Sequence, residues 1–397
     1  MGDSDDAGLA GSLSRQRFER SVMNILFFVS SLNAGGAERV AVTLANAWAR
    51  QGHRVTLVPT YRQKSESFYD IDPMVQVHWL SDTIAASVFY RRARYVGKLL
   101  ALRKMIRCEQ PDVVVSFLTN VNVNVLAASI GLDAPVVVCE RTNPWVSRHS
   151  RGVLDALRKI LYPRAAAVCV QTSAAAAYFR KRLNTQSSSL FIIPNPLPES
   201  LSQGPRSSLS ADEMGRYRLV ALGRLVPEKQ FSHLVRAFAG LAKHFPDWDL
   251  WIYGEGPERA QLESLIRQFE LSQRIFLPGT TADPWHVLRE SSLFAMTSAV
   301  EGFPNVLLEA MGCGLPCIAY DCPSGPADLM EAGRAGVLVP LNDEQAYASA
   351  LGALMANPGT RRQLGQLGSQ RVLQRFSLSV VLTQWKQMFA KAGVRHD

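Results

Sequence analysis

A disulfide or zinc framework is missing from this chain. Six cysteines, Cys108, Cys139, Cys169, Cys313, Cys317 and Cys322, are scattered over 397 residues with no C-x-x-C. No histidine accompanies the three that lie close together, so the set reads as buried, reduced thiols. A membrane-spanning run is also missing. The longest uncharged stretch, residues 113–132, has the length to cross a bilayer, but Asn120, Asn122 and Asn124 interrupt it. Its first part, Val113 to Phe117, reads instead as a buried strand feeding a helix. Met1 to Ser21 is acidic and then mixed, lacks the apolar core of a secretory leader, and reads as a disordered tail. There is no G-x-G-x-x-G, which disfavours a dinucleotide dehydrogenase. Two D-x-D triplets, at Asp247 to Asp249 and Asp70 to Asp72, lie beside Pro246 and Pro73. They read as turn chemistry rather than as metal ligands.

What is present begins with a core: 47% hydrophobic and 19% charged residues describe a soluble globular protein long enough for two domains. The net charge of +9 is lopsided. From Val22 to Pro198 there are 21 Lys and Arg against 10 Asp and Glu, whereas the rest is close to neutral. A basic first half asks for an anionic partner: a membrane surface, a diphosphate-linked lipid or nucleic acid. The stretch from Tyr90 to Arg107 concentrates this charge in Arg91, Arg92, Arg94, Lys98, Arg103 and Lys104, with Val96, Leu99, Leu100, Leu102 and Ile106 at roughly helical spacing. It reads as an interfacial helix, the alternative being a solvated face over a core. Arg148, Arg151, Arg158, Lys159 and Arg164 form a second basic set that would frame the same mouth.

Apolar runs alternate with helical patterns. Strands are expected at Met23 to Val29, Arg54 to Pro59, Val113 to Phe117 and Val136 to Cys139, with a helix from Ala37 to Gln51 stopped by Gly52. A polar Ser- and Pro-containing stretch, Glu199 to Gly215, reads as a linker, and strands resume at Tyr217, Asp249, Arg274, Leu293, Pro316 and Gly336. The expected class is α/β, with two Rossmann-like doubly wound parallel sheets facing a cleft. The expected division is a tail over 1–21, a first domain over 22–198, a second over 199–375 and a helix over 376–397 packing back on the first.

Four strand-end motifs carry chemistry. Gly35-Gly36 after the first strand lets backbone approach a phosphate or sugar, although a tight turn would look the same. Gly223-Arg224 and Lys229 follow the strand at 217; two cations there would clamp a diphosphate and stabilise it as a leaving group, the alternative being a solvated pair or Lys229 bridging toward its neighbour Glu228. Gly254-Glu255-Gly256 is a turn against which a base or ribose would lie. Glu301 and Glu309 bracket Gly302-Phe303-Pro304-Asn305-Val306-Leu307-Leu308. Pro304 suits the first turn of a helix, with Glu301 before it, Glu309 inside it, and the amides of Phe303 to Val306 turned toward an anion. The two carboxylates, about 12 Å apart along a helix axis, would hold two ends of an elongated anionic ligand.

The order GGAER, GRLVPEKQ, IYGEGPER, EGFPNVLLEAMGCGLP, DCPSGP resembles the family 4 retaining glycosyltransferases, of GT-B fold, from about Asn24 to the last helix. Within that family the chain looks most like bacterial enzymes that extend lipid-linked glycans for O-antigen, capsule, exopolysaccharide or N-glycan precursors. The resemblance implies that Arg224 and Lys229 hold the diphosphate of a nucleoside-diphosphate sugar, with UDP the commonest carrier. Glu301 would contact the transferred sugar, Glu309 the ribose, Gly36 the phosphate and sugar, and the amides of Phe303 to Val306 the donor. It implies no cofactor and no metal, and retention by front-face attack. The acceptor would be a polyprenyl-diphosphate-linked or other lipid-linked glycan, met by a cytoplasmic protein peripheral on the inner face of the plasma membrane. Many relatives carry a histidine after the fourth strand; here Glu140-Arg141 stands there, as a catalytic pair or as a structural one. The competing readings are a soluble-acceptor transferase, a GT-B nucleotide-sugar epimerase, or a charge-driven nucleic-acid-binding or scaffold protein. The last leaves both glutamates and the Arg224/Lys229 pair unexplained, and no nucleic-acid partner is expected.

Overall fold

The computed structural model describes residues 22–394, apart from 34, 62–66, 86–93, 143–151, 183–188, 204–206 and 208. Continuous apolar runs become fully covered parallel strands, as expected when helices lie on both faces of a sheet. Asn24–Val29 (β1), Arg54–Pro59 (β2), Val75–Val77 (β3), Val113–Phe117 (β4), Val136–Cys139 (β5), Ala167–Val170 (β6) and Leu190–Ile192 (β7) form one sheet, in the order β3-β2-β1-β4-β5-β6-β7. Phe27 sits in register with Leu57 on one side and Val115 on the other. A second sheet contains Tyr217–Leu222 (β8), Trp248–Tyr253 (β9), Ile275–Gly279 (β10), Leu293–Met296 (β11), Cys317–Asp321 (β12) and Val337–Pro340 (β13). Its order is β10-β9-β8-β11-β12-β13. The order reverses between β1 and β4 and between β8 and β11, and crevices open at such switch points. β3, β6 and β7 add to the four strands expected in the first half, and the other ends move by a residue or two.

The helix Gly36–Arg50 buries Val40, Ala41, Leu44, Ala45 and Trp48 on β1 and its neighbours. Glu38 in its first turn and Arg50 in its last suit the helix dipole. The uncharged stretch 113–132 resolves into β4 and the helix Thr119–Ala128, joined through Leu118 at φ 77. Asn122 is buried there without penalty: its amide donates to the Cys139 carbonyl at 3.0 Å and to the Tyr162 hydroxyl at 3.1 Å, and Ser116 donates to it at 2.8 Å. Among the described residues no helix is long and apolar enough to cross a membrane.

The chain passes between the sheets twice. Leu197 donates its N–H to the Phe376 carbonyl at 2.6 Å and pairs with Ser377 as a parallel bridge, so the two crossings run side by side. The long helix Pro358–Phe376 belongs to the second domain through Val372 and Phe376. After the second crossing, the helix Leu378–Lys391 lays Val381, Trp385, Met388 and Phe389 into the first domain's core. Trp385 meets Trp48 edge to face, with centroids 5.3 Å apart. All six cysteines are free; five are buried, but Cys108 is exposed, against expectation, because it lies beyond Ile106 on the outer side of the helix Arg94–Glu109.

Candidate active site

Glu301 lies in the loop after β11, and its carboxylate accepts a hydrogen bond from Lys229 Nζ at 2.6 Å. Lys229 ends a short turn, Pro227–Lys229, after β8. Two backbone ties hold these loops together: Thr297 Oγ1 donates to the Lys229 carbonyl at 3.0 Å, and the Ala299 N–H to the Glu228 carbonyl at 2.9 Å. Lys229 therefore answers Glu301 rather than its neighbour Glu228. Arg224 is exposed, without an ion-pair partner among the described residues. Gly223 and Gly254 meet through backbone: at φ 145, any side chain on Gly254 would collide with the Gly223 carbonyl, a packing reason for the glycine. Glu255, expected at the donor, forms an exposed 2.8 Å pair with Arg259 one helical turn on.

Pro304 is the N-cap of the helix Asn305–Gly312, one residue ahead of the first turn in which it was expected. Only four of the eight steps from Glu301 to Glu309 are therefore helical, giving about 6 Å of axial rise instead of 12 Å. Phe303 is buried, 6.2 Å from the Phe376 ring, so it anchors the loop from beneath. The Asn305 N–H already donates to the Phe303 carbonyl at 3.0 Å, and Val306 packs partly against the second core. Gly325, at φ 112, lets the 323–325 loop press on the Pro304 ring, and Ser324 Oγ lies 3.0 Å from the Gly302 carbonyl.

Glu309 is buried. One carboxylate oxygen pairs with Arg39, from the helix Gly36–Arg50 of the other domain; the other accepts from Trp285 Nε1 at 3.3 Å. Burial raises this carboxyl above its ordinary range, opposed by the Arg39 charge and the Trp285 hydrogen bond. Beside it Asn305 bridges the domains, accepting from Asn195 Nδ2 at 2.7 Å and donating to the Gly36 carbonyl at 3.4 Å. Gly35, the N-cap of that first helix, exchanges hydrogen bonds with the Tyr69 hydroxyl at 3.0 and 3.1 Å. Thr172 with Ser324 at 2.7 Å and Ser173 with Asp328 at 2.8 Å close the far edge.

Arg141 reaches this network: Nη1 donates to Asn195 Oδ1 at 2.6 Å, and the guanidinium stacks 3.8 Å over Phe117. Its Nε and Nη2 are buried without a hydrogen-bond partner among the described residues. A structural Glu140–Arg141 pair, the alternative reading, is not formed. Glu140 instead accepts from Tyr162 and, at 2.7 Å, from Thr119, with Arg158 4.0 Å away. Burial raises the Glu140 carboxyl above its ordinary value. A donor in the cleft would meet Glu140 only if those bonds broke.

The basic set divides. Arg91, Arg92, Arg148 and Arg151 lie outside the described residues, and Arg94 is described only as the first residue of the helix Arg94–Glu109. Lys98 stacks 5.5 Å over Tyr61, and burial lowers its pKa. Arg103 donates to the Ala128 and Ile130 carbonyls at 2.9 and 2.6 Å, closing the end of a neighbouring helix. Arg158 is 1% exposed and pairs with Asp155, so it does not frame a mouth. Lys104 and Arg107 are exposed, with Tyr95, Val96 and Leu100 exposed on the same helix; Leu102 and Ile106 face the core. One carboxylate of each D-x-D triplet is engaged: Asp249 by Arg216 and Arg274, Asp72 by Arg50. No group of three or more metal-ligating side chains occurs among the described residues. Sequence reading assigned nothing to Arg39, Trp285 or Asn195; Arg39 stood in the GGAER motif, but its partner is 270 residues away.

A family model described as Glycosyltransferase Family 4 matches residues 34–200, and one described as Glycosyl transferases group 1 matches residues 209–371. A Campylobacter jejuni protein is 28% identical over 371 residues, covering 93% of this chain and 99% of that protein. It is named as an alpha-1,4-N-acetyl-D-galactosaminyltransferase of a diNAcBac-PP-undecaprenol-linked glycan. An exopolysaccharide phosphotransferase of Streptomyces coelicolor is 27% identical over 390 residues; the match takes in 91% of this chain but 40% of that longer protein. HepE of Anabaena, solved in complex with UDP, superposes with a TM-score of 0.75 at 20% identity, covering 93% of this chain and all of that one, a likeness of fold. With both halves matched in chain order on two facing parallel sheets, the chain is a glycosyltransferase of GT-B fold, made of a Glycosyltransferase Family 4 domain followed by a Glycosyl transferases group 1 domain.

Proposed function

We propose that the protein is a retaining, metal-independent hexosyl- or N-acetylhexosaminyltransferase that uses a UDP-sugar to extend a polyprenyl-diphosphate-linked glycan in bacterial surface-polysaccharide or oligosaccharide assembly. The observation that carries this is the Glu301–Lys229 pair at 2.6 Å, beside the loop that opens the Asn305–Gly312 helix. An ammonium held by a carboxylate is placed to meet the donor's diphosphate, and the solvent-facing Arg224 adds a second charge as the leaving group departs. Glu301 then faces the sugar hydroxyls. A phosphate oxygen of the donor takes the proton of the incoming hydroxyl, so the new bond forms on the face the diphosphate leaves. The Campylobacter jejuni relative's undecaprenol-linked acceptor and the UDP held by HepE support these substrate classes. The exposed Lys104 and Arg107, with Tyr95, Val96 and Leu100 beside them, support a peripheral seat on an anionic inner leaflet.

The test is nucleoside-diphosphate release across a panel of nucleotide sugars with a polyprenyl-diphosphate glycan acceptor. Lys229→Ala and Glu301→Ala are each expected to abolish release while the protein stays folded, and EDTA to leave the parent rate intact. Near-full turnover in either variant overturns the site assignment, and strict metal dependence overturns the cation mechanism.

A further inference from the structure

We propose that Arg39 gates the donor site: paired with Glu309 across the two domains, it occupies the carboxylate that a nucleotide's ribose needs, so a nucleotide enters by taking Glu309 from it. This rests on the donor reading above. Arg39 lies one turn into the first domain's opening helix, where its N–H donates to the Gly35 carbonyl at 3.0 Å. Its side chain leaves that domain altogether and ends on Glu309, whose side chain is 3% exposed against 18% for Arg39.

Both Glu309 oxygens are then engaged, one by Arg39 and one by Trp285. A ribose diol donating to this carboxylate must therefore displace a donor. Trp285 belongs to the same domain as Glu309, on the helix Pro284–Arg289, so it stays in place whether the cleft is open or closed. Arg39 comes from the other domain, so it is the partner that a separation of the two domains would remove. Its charge also makes a buried carboxylate tenable while no ligand is present, since an unpaired one is costly. Burial pushes the Glu309 carboxyl up and Arg39 opposes that push, consistent with a counter-ion held until hydroxyl donors replace it. The neighbouring Asn305 bonds to Asn195 and Gly36 add neutral contacts to the same closed edge, so Arg39 alone couples closure to the charge at the ribose position.

The experiment is calorimetric titration of UDP, ADP, GDP and uridine into the parent, Arg39→Ala, Arg39→Gln and the Glu309→Gln and Arg39→Ala/Glu309→Gln variants, with melting curves as a folding check. Arg39→Ala is expected to tighten binding of the preferred nucleotide by about tenfold or more, the scale of one lost hydrogen bond to a charged group. Uridine should gain as much as UDP, because the competition is at the ribose, and Arg39→Gln should fall between. In the Glu309→Gln background the same change should have no effect. Weaker UDP binding with uridine unchanged would make Arg39 a phosphate ligand and overturn the proposal, as would unchanged affinity. A parent that binds none of the three nucleotides refutes the donor reading itself, and the gate with it.

Discussion

Replacing Gly36 with alanine separates stability from catalysis. Gly36 is the first residue of its helix and has no left-handed φ, so its backbone accepts a side chain. Alanine in place of helical glycine gains up to about 1 kcal/mol. Against this, the new methyl would stand 2.7 Å from Asn305 Nδ2, so the amide must retreat. Losing its hydrogen bond to the Gly36 carbonyl costs about 0.5–1.5 kcal/mol. The two effects nearly cancel, and a residual of about 1 kcal/mol moves the melting temperature by about 2–4 °C in domains of this size. Catalysis has no such compensation. Asn305 opens the helix that carries Glu309, and it holds Asn195, which in turn holds Arg141. A displacement of about 1 Å in positioning groups costs about a hundredfold in rate. Gly36→Ala should therefore melt within a few degrees of the parent by scanning fluorimetry, yet release nucleoside diphosphate about a hundredfold more slowly. Turnover within about threefold of the parent would refute this reasoning. So would a melting temperature lowered by about 10 °C or more, which would make Gly36 a packing residue of the first domain.

Trp385→Ala removes a side chain that is 1% exposed between Trp48 and Phe389; a loss of about 3–5 kcal/mol in urea unfolding is expected, and less than about 1 kcal/mol would deny the last helix its place in the first core. Glu140 has a folded pKa raised by burial above its ordinary 4.5, so its contribution to stability is full below that value and is lost as pH rises through the raised one. The stability of the parent relative to Glu140→Gln should accordingly fall as pH rises from the ordinary carboxyl value of 4.5 through the raised one in melting curves, and a flat difference would show that Glu140 does not titrate as described. Lys104→Glu with Arg107→Glu should weaken co-sedimentation with anionic vesicles by about tenfold or more, each basic residue near such a surface being worth about 1 kcal/mol; unchanged co-sedimentation would rule out this face as the membrane seat.

The strands that sequence revealed are those buried on both faces, because β1, β4 and β8 must be apolar at nearly every position. β3 and β7 have three residues each, too few to show a pattern, and β6 merges with the alanines at 165 and 166 that precede it. Within the site, Lys229 and Glu301 were legible because each lies on a loop that directly follows a recognisable strand. Arg39, Trp285 and Asn195 were not, since their roles exist only once two distant segments face each other across the cleft. Glu140 and Arg141 take separate partners for a related reason. Adjacent residues leaving a strand point to opposite faces, so Arg141 reaches the cleft while Glu140 is enclosed with Tyr162.

The paired crossing at Leu197 and Ser377 also limits how this chain can be taken apart or recombined. A single cut near the first crossing would leave the first half without the tryptophan-bearing wall that covers Trp48. The second half would carry that wall as an apolar helix with nothing to cover it. Neither half is a portable cassette. Grafting a relative's donor-binding half onto this acceptor half requires two junctions made together, one beside Leu197 and one beside Ser377. A single-crossover chimera would mismatch the helix Leu378–Lys391 with the sheet it covers.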